Sequence, residues 1–420
     1  MAESSPVALR RNRRWMLFQG GQLLSDAGSA STAVAYPLLV LVLTGSPARA
    51  GIVGFARTLP LALLAIPAGV LADRWNRKWV MVGADVIRAG AVGVLAALIA
   101  AGHASFWVLP VVAFVEGAGN AMFLAAQAGA LRAIVPLPQL PEAMSSLDGR
   151  EAAVRLAGPP LGGALFAVAN VLPFAVDAAS YLFSTGSLLA IRAPFQQSAE
   201  RNRGSLRARA AEGLRYLWKQ RFLRTCALLF GLTNFIVPGL LLAVVVLAHR
   251  RHLSGGEVGL LVASFGASVL VGAMIASSIR RALPVRGVLL LELWTYLGSA
   301  VFLFWPNVFV LAASLVPAGL AIPASDSVVH AYRIAMTPDR LLSRSESVRS
   351  TLSLAIAPFG PLLAGYLLSV TTPRITVSVF VAVSAVLAGW ATLSPSIRSA
   401  PRLDEVFNAG GTGDPPLQAC

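Results

Sequence analysis

The chain has 420 residues, of which 56% are hydrophobic and only 13% charged, with a mean hydropathy of +0.71. So much apolar surface cannot be hidden inside one water-soluble core, which excludes the soluble globular classes and makes lipid the solvent. The net charge of +15 comes without any recognisable nucleic-acid motif and reads as loop bias plus attraction to anionic headgroups.

A membrane span needs about 20 mostly apolar residues. Twelve segments qualify, at 15–43, 48–73, 79–101, 106–131, 142–168, 171–191, 222–248, 255–279, 285–305, 308–332, 346–370 and 373–394. The fold class expected is therefore an all-α polytopic membrane protein of twelve transmembrane helices in two six-helix bundles. The tail 1–14 closes with Arg10-Arg11-Asn12-Arg13-Arg14. The apolar run behind it exceeds the roughly 7–15 residues of a signal peptide core, so it is expected to stay as span 1. Short loops make neighbouring spans antiparallel. Most of the 34 basic residues then fall in the tails and alternate loops, whereas Arg49, Arg250, Arg251 and Arg374 fall opposite. Lys and Arg are retained on the cytoplasmic face, so both termini are expected inside a cell membrane.

Acidic groups in spans are costly unless paired or wet, and each is a functional candidate by default. Span 1 carries Asp26, with Gln19 and Gln22. After span 2 comes Gly69-Val-Leu-Ala-Asp73-Arg74-Trp-Asn-Arg77-Lys78, where Gly69 permits close helix approach, Asp73 ends the apolar helix and the cations form a turn at the membrane surface. In span 3, Asp85 and Arg88 are one turn apart and can pair with each other, or with Arg74 and Arg77, or act with Asp73 as a gating latch. Span 4 holds Glu116, Asn120 and Gln127. At about 1.5 Å of rise per residue, Asp26 and Glu116 both reach the midplane. Arg155 in span 5 is expected at mid-depth, either neutralising one of them as part of a coupling site or locking the bundle through a permanent pair with Glu116. Asp177 is expected near the outer end of span 6, in a structural role.

Residues 15–191 form the expected first bundle, 192–221 a basic linker with an amphipathic helix in which Leu206, Leu214, Leu217 and Trp218 share a face, and 222–394 the second bundle. The tail 395–420, rich in Gly, Pro and polar residues, is expected to be disordered. Asn234 lies in span 7 and Glu292 in span 9, the latter without a partner legible in sequence. In span 10, Asp326 and His330 share a face one turn apart, with Arg333 following, and form either a proton relay or an inner-end polar cluster. Gln19, Gln22, Asn120, Gln127 and Asn234, with Phe18, Phe123, Trp294 and Tyr296 as apolar plates, are candidates to line a cavity. Such a surface suits bulky amphipathic molecules better than sugars. The bundles look duplicated: Gly158-Pro159-Pro160-Leu161-Gly162-Gly163-Ala-Leu165 and Gly360-Pro361-Leu-Leu363-Ala-Gly365-Tyr-Leu367 align at a constant offset that also relates Pro136 to Pro338. Parallel repeats of this kind occur in transporters.

The Gly69–Lys78 decapeptide resembles the loop between helices 2 and 3 of the major facilitator superfamily. The block Gly158-Pro159-Pro160-Leu161-Gly162-Gly163 resembles that family's span-5 antiporter motif, although Val154 stands where a further glycine belongs. Gly20-Gln22-Leu23-Ser25, Pro37 to Val40, Leu43 to Ser46, Arg57-x-x-Pro60, Asp85-x-x-Arg88-Ala89 and Asp177-Ala-x-Ser180-Tyr181-Leu182 are similar to the branch of macrolide, tetracycline and enterobactin exporters. The resemblance implies a monomeric drug:proton antiporter that moves hydrophobic small molecules by rocking its halves, with spans 1, 4, 7 and 10 lining the cavity. An uptake symporter of the same fold, or a sensor that has lost transport, stays open, because Ser277 and Ser278 replace the acid and base in the second copy of the loop motif.

Other chemistry is not indicated. No Gly-x-x-x-x-Gly-Lys-Ser/Thr loop for ATP is present. Cys226 and Cys420 are too distant in topology for a disulfide or metal site, and His103, His249, His252 and His330 do not cluster as an enzyme would need. No cofactor and no metal are expected; the partners are protons, lipid and a small-molecule substrate.

Overall fold

The computed structural model describes residues 9–192, 195, 206–337, 351 and 353–398. Pro338, most of the first half of the linker and the tail beyond Arg398 lie outside the described residues, as does the side chain of Asp73. The chain divides into two compact units, one of residues 1–202 with 248–263, the other of 203–247 with 264–420.

In the first unit α1 (Arg13–Thr44) starts at Asn12, whose side chain accepts from the Arg14 and Trp15 amides, and stops at Gly45 in the left-handed conformation, φ +62°. Asn12 thus satisfies donors that a helix start leaves unpaired, and glycine bears the positive φ at no steric cost. Ser46 and Pro47 open α2 (Pro47–Arg74), and Asn76 caps α3 (Arg77–Ala100) by accepting from the Lys78 amide. Then follow α4 (Val108–Ile134), α5 (Leu140–Val168) and α6 (Leu172–Ala190). α2 packs on α4, α1 on α5 and α6, and α3 on α4 and α6.

The other elements are α7 (Leu206–Lys219), α8 (Arg221–Arg250), α9 (Gly255–Ala282), α10 (Val285–Thr295), a 3-10 segment (Tyr296–Ala300), α11 (Val301–Phe304), α12 (Val308–Met336) and the helices Phe359–Val370 and Pro373–Leu393. α7 lies on the basic linker; its Leu217 is buried while Leu214 and Trp218 stay exposed. Its Tyr216 hydroxyl donates to the Met336 carbonyl, and burial raises the tyrosine's pKa. In the second unit α10 packs on α12 and on Pro373–Leu393.

Among the described residues, ten helices are long and apolar enough to cross a membrane. α5 and α6 complete twelve; α5 falls short by composition because its first half carries Glu142, Asp148, Arg150, Glu151 and Arg155. The protein is an all-α polytopic membrane protein, with no strand among the described residues. The duplication seen in sequence has a packing counterpart inside each unit. Gly158 of α5 sits against Ala30 of α1, and Gly360 sits against the Phe235 carbonyl of α8.

Candidate functional site

Charges in the first unit gather where α1, α2, α3, α4 and α6 meet. Arg57 of α2 donates through Nη2 to Glu116 Oε1 of α4 at 2.6 Å, and also to the Ser29 carbonyl at 2.8 Å and Thr32 Oγ1 at 3.2 Å on α1. Thr32 passes the chain on, donating to Asp177 Oδ2 of α6 at 3.0 Å. Tyr181, also on α6, donates its hydroxyl to Glu116 Oε1 at 3.4 Å and receives Arg88 Nη2 at 2.8 Å. The Arg88 guanidinium lies 3.9 Å over the Tyr181 ring, a cation–π arrangement that is strongest away from water. Its Nη1 meets Asp85 Oδ1 at 3.2 Å, Ser184 donates to Asp85 Oδ2 at 2.6 Å, and Gln22 donates to Ser184 at 2.8 Å.

Small residues make this convergence possible. A Cβ at Gly28 would meet Ser180 Oγ at 2.5 Å and Asp177 Oδ1 at 2.6 Å, and one at Gly119 would meet Arg88 Cγ at 2.5 Å. Gly117 lies directly against the Arg57 carbonyl. Glycine here admits a charged side chain from the next helix into space that a methyl group would take.

The charge balance within this cluster is uneven. Three carboxyl groups, Asp85, Glu116 and Asp177, face two guanidiniums, Arg57 and Arg88. Asp85, Glu116 and Asp177 are at most 2% exposed. Asp85 and Glu116 have their own arginines, whereas Asp177 accepts only from the hydroxyls of Thr32 and Ser180. Glu116 Oε2 is buried without a hydrogen-bond partner. An uncompensated buried charge costs several kcal/mol, so one added proton brings the cluster to neutrality.

A second polar group is more open. Asp26 Oδ2 stands 3.1 Å from Arg150 Nε, with the Asp26 side chain 39% exposed. Arg150 Nη1 donates to Gln19 Oε1 at 2.6 Å, and Gln19 Nε2 donates to Ser146 at 2.9 Å. Arg150, not Arg155, is thus the cation that α5 supplies to α1.

Several expectations need correction. Arg155 does not reach Glu116: it is exposed and pairs with Glu151 at 2.5 Å, one turn back on α5. Asp177 is fully buried rather than placed at a wet helix end. Of the pairings open to Asp85, the one with Arg88 in its own helix is present, while Arg77 donates to the Gly129 carbonyl and Lys78 to the Leu189 and Ile191 carbonyls. Among the described residues nothing lies within 4 Å of where a Cβ on Gly69 would sit, so none of them makes the expected close helix approach there. Phe18 and Phe123 belong to the buried apolar core instead of forming exposed plates.

Gln22 is drawn into the buried cluster, and Asn120 and Gln127 are half-buried on α4. Asn234 is exposed and donates to the Phe230 carbonyl of its own helix. Trp294 is exposed and donates to Thr392; Tyr296 and Glu292 are buried together. Asp326 and His330 are exposed on α12, where His330 meets Arg333. In the span-5 block, Gly158 and Gly162 lie against Ala30 and Ser31 of α1, and Gly163 and Pro159 lie against Gly255 and Gly259 at the start of α9, which belongs to the same unit.

Arg57 and Tyr181, quoted in the sequence only for the family resemblance and not as candidate site residues, both belong to this buried cluster. The signal was present: an arginine inside an apolar span is as costly as an acid and calls equally for a partner.

Comparison with known proteins gives the context. Residues 4–405 match the family described as transmembrane secretion effector. The multidrug efflux pump Tap of Mycobacterium tuberculosis is 29% identical over 373 residues, covering 82% of this chain and 84% of Tap. Macrolide efflux protein A of Streptococcus pyogenes is 27% identical over 178 residues, 41% of this chain and 43% of that one. Among solved structures, the inward-facing, unoccupied bacterial homologue of the human lysosomal transporter Spinster superposes with a TM-score of 0.73 at 16% identity, covering 97% of this chain and 99% of that chain. At that identity the likeness speaks for the fold.

Proposed function

The chain belongs to the transmembrane secretion effector family of major facilitator transporters, and from that membership we propose that it exports hydrophobic or amphipathic small molecules in exchange for protons. It is a multi-pass membrane transporter, not an enzyme. The relatives named as multidrug and macrolide efflux proteins support the outward direction and the class of cargo.

The observation that carries proton coupling is the charge imbalance around Arg57 and Glu116. Two guanidiniums cannot neutralise Asp85, Glu116 and Asp177 together, and in an apolar interior the remaining charge must be met by a proton or by a change of shape. In this reading Arg57 holds Glu116 while Asp177 carries the proton. Loss of that proton leaves an excess negative charge among α1, α2, α4 and α6, which biases the unit toward its other conformation. Cargo binding supplies the differential energy that any such shift requires. Asp26 and Arg150, partly open to solvent, serve as the outer station of the same traffic. Both termini lie in the cytoplasm, 15–191 and 222–394 are the two bundles, and the protein works as a monomer by alternating access.

The test is movement of a fluorescent hydrophobic cation into everted vesicles that contain the protein. Energised vesicles take up the dye, and a protonophore abolishes uptake while ATP depletion under a maintained gradient does not. Uptake indifferent to the protonophore refutes proton coupling, and gradient-driven movement in the opposite sense refutes export.

A further inference from the structure

Glu292 is a buried acid that the first unit's cluster does not use. It is 3% exposed and lies on α10 one turn before the helix tightens into the 3-10 segment Tyr296–Ala300. The Tyr296 hydroxyl donates to its Oε1 at 3.2 Å. Its Oε2 is buried and has no hydrogen-bond partner.

Among the described residues, the elements packed against α10 bring no cation to Glu292, and α8 brings the neutral Thr233 hydroxyl to Tyr296. From α12 come Asp326, an acid whose field acts on Glu292, and Ser325, whose neutral hydroxyl stands beside the Glu292 carboxyl. His330 and Arg333 follow on that helix one and two turns beyond Asp326, in contact with each other. The helix Pro373–Leu393 carries Arg374 alone, at its first turn, and α10 itself carries Arg286, which is exposed. No ion pair to Glu292 exists among the described residues.

We infer that Glu292 is a second proton-binding site, housed entirely in the second unit and reached from solvent through the exposed carboxylate of Asp326. A carboxylate buried without a cation, beside another acid, carries a penalty that only a positive charge removes. The inaccessible Oε2 has room for a proton but not for an amine or a metal ion. The transfer is a simple one: a proton from water protonates Asp326, passes to Glu292 and returns by the same route. Its setting gives the proton leverage, because a 3-10 stretch within a long helix marks a place where the backbone changes shape. Tyr296 is both the first residue of that stretch and the donor to Glu292. The proposal deepens the proton-coupled reading above, but binding at Glu292 does not depend on export.

The experiment is an infrared difference titration of the full chain in lipid nanodiscs, with no cargo and no gradient, so that its outcome is independent of whether the chain exports anything. The wild type is expected to show a protonated-carboxyl band that vanishes on raising the pH, that is lost in Glu292→Gln, and that persists in Glu116→Gln and Asp177→Asn. A Glu292→Gln spectrum identical to wild type overturns the site, as does a band that never titrates. If Glu292→Gln does not assemble, Tyr296→Phe serves: a shifted midpoint supports the proposal, and an unchanged one overturns it.

Discussion

Arg57 on α2 and Glu116 on α4 are joined at 2.6 Å, with the Glu116 side chain 3% exposed and that of Arg57 19%. Each alone is a charge sunk in an apolar helix, and each makes the other tolerable. Removing one partner leaves the other buried and uncompensated, at a cost of about 3–5 kcal/mol. Arg57→Gln is therefore expected to lower the unfolding temperature of the purified protein sharply. The double variant Arg57→Gln with Glu116→Gln is expected to recover much of the loss, because neither charge then remains. Additive losses in a thermal-shift double-mutant cycle would mean that the two charges do not depend on each other.

Asp177 makes a different prediction, because its partners Thr32 and Ser180 are neutral. Asp177→Asn keeps the shape and can still accept one hydrogen bond from Thr32, so folding is expected to survive. What should disappear is the coupling: dye uptake into everted vesicles becomes indifferent to the imposed pH gradient. A proton-carrying acid is filled at low pH and empties as pH rises, so the wild-type response strengthens with acidification of the side from which protons enter. An Asp177→Asn variant that retains that response assigns the proton elsewhere in the cluster.

These two residues also mark how far the sequence can be read. Apolar run lengths gave the helices, since a span needs only a count of apolar residues, and the Gly158 and Gly360 blocks marked positions where helices touch in each unit. The partner of Glu116 was not legible. Arg155 and Arg57 are both arginines in nominal spans, and linear depth cannot distinguish them. The distinction lies in helix rotation, which points Arg155 at Glu151 on the outside of α5 and Arg57 inward toward α4. Asp177 does lie near the start of α6, but its burial was not legible from depth, because it comes from α1 pressing on α6 at Gly28.

That contact yields a steric prediction. Gly28→Ala sets a methyl group against Ser180 Oγ and Asp177 Oδ1, and overpacking of this kind costs about 1–3 kcal/mol. Thermal stability should fall and transport with it, since α1 can no longer hold Thr32 on Asp177. Gly69→Ala is the matched control: none of the described residues stands within 4 Å of the added carbon and the site is helical, so stability should hold or rise slightly. Equal losses in both variants would remove the packing argument.

Arg155 and Glu151 supply the contrasting case, an ion pair one turn apart with side chains 58% and 61% exposed. Pairs of this kind contribute about 0.5 kcal/mol or less, because water already solvates both charges. Arg155→Ala is therefore expected to leave unfolding temperature, dye uptake and its pH response close to wild type. Arg150→Ala on the same helix should behave otherwise: its side chain is 11% exposed, and it holds both Asp26 and Gln19. Its loss frees the Asp26 carboxylate and is expected to reduce uptake more than stability. If the order is reversed, with Arg155→Ala abolishing the pH response and Arg150→Ala silent, then α5 turns during transport to bring Arg155 inward, and the coupling cation is the one that this conformation leaves at the surface.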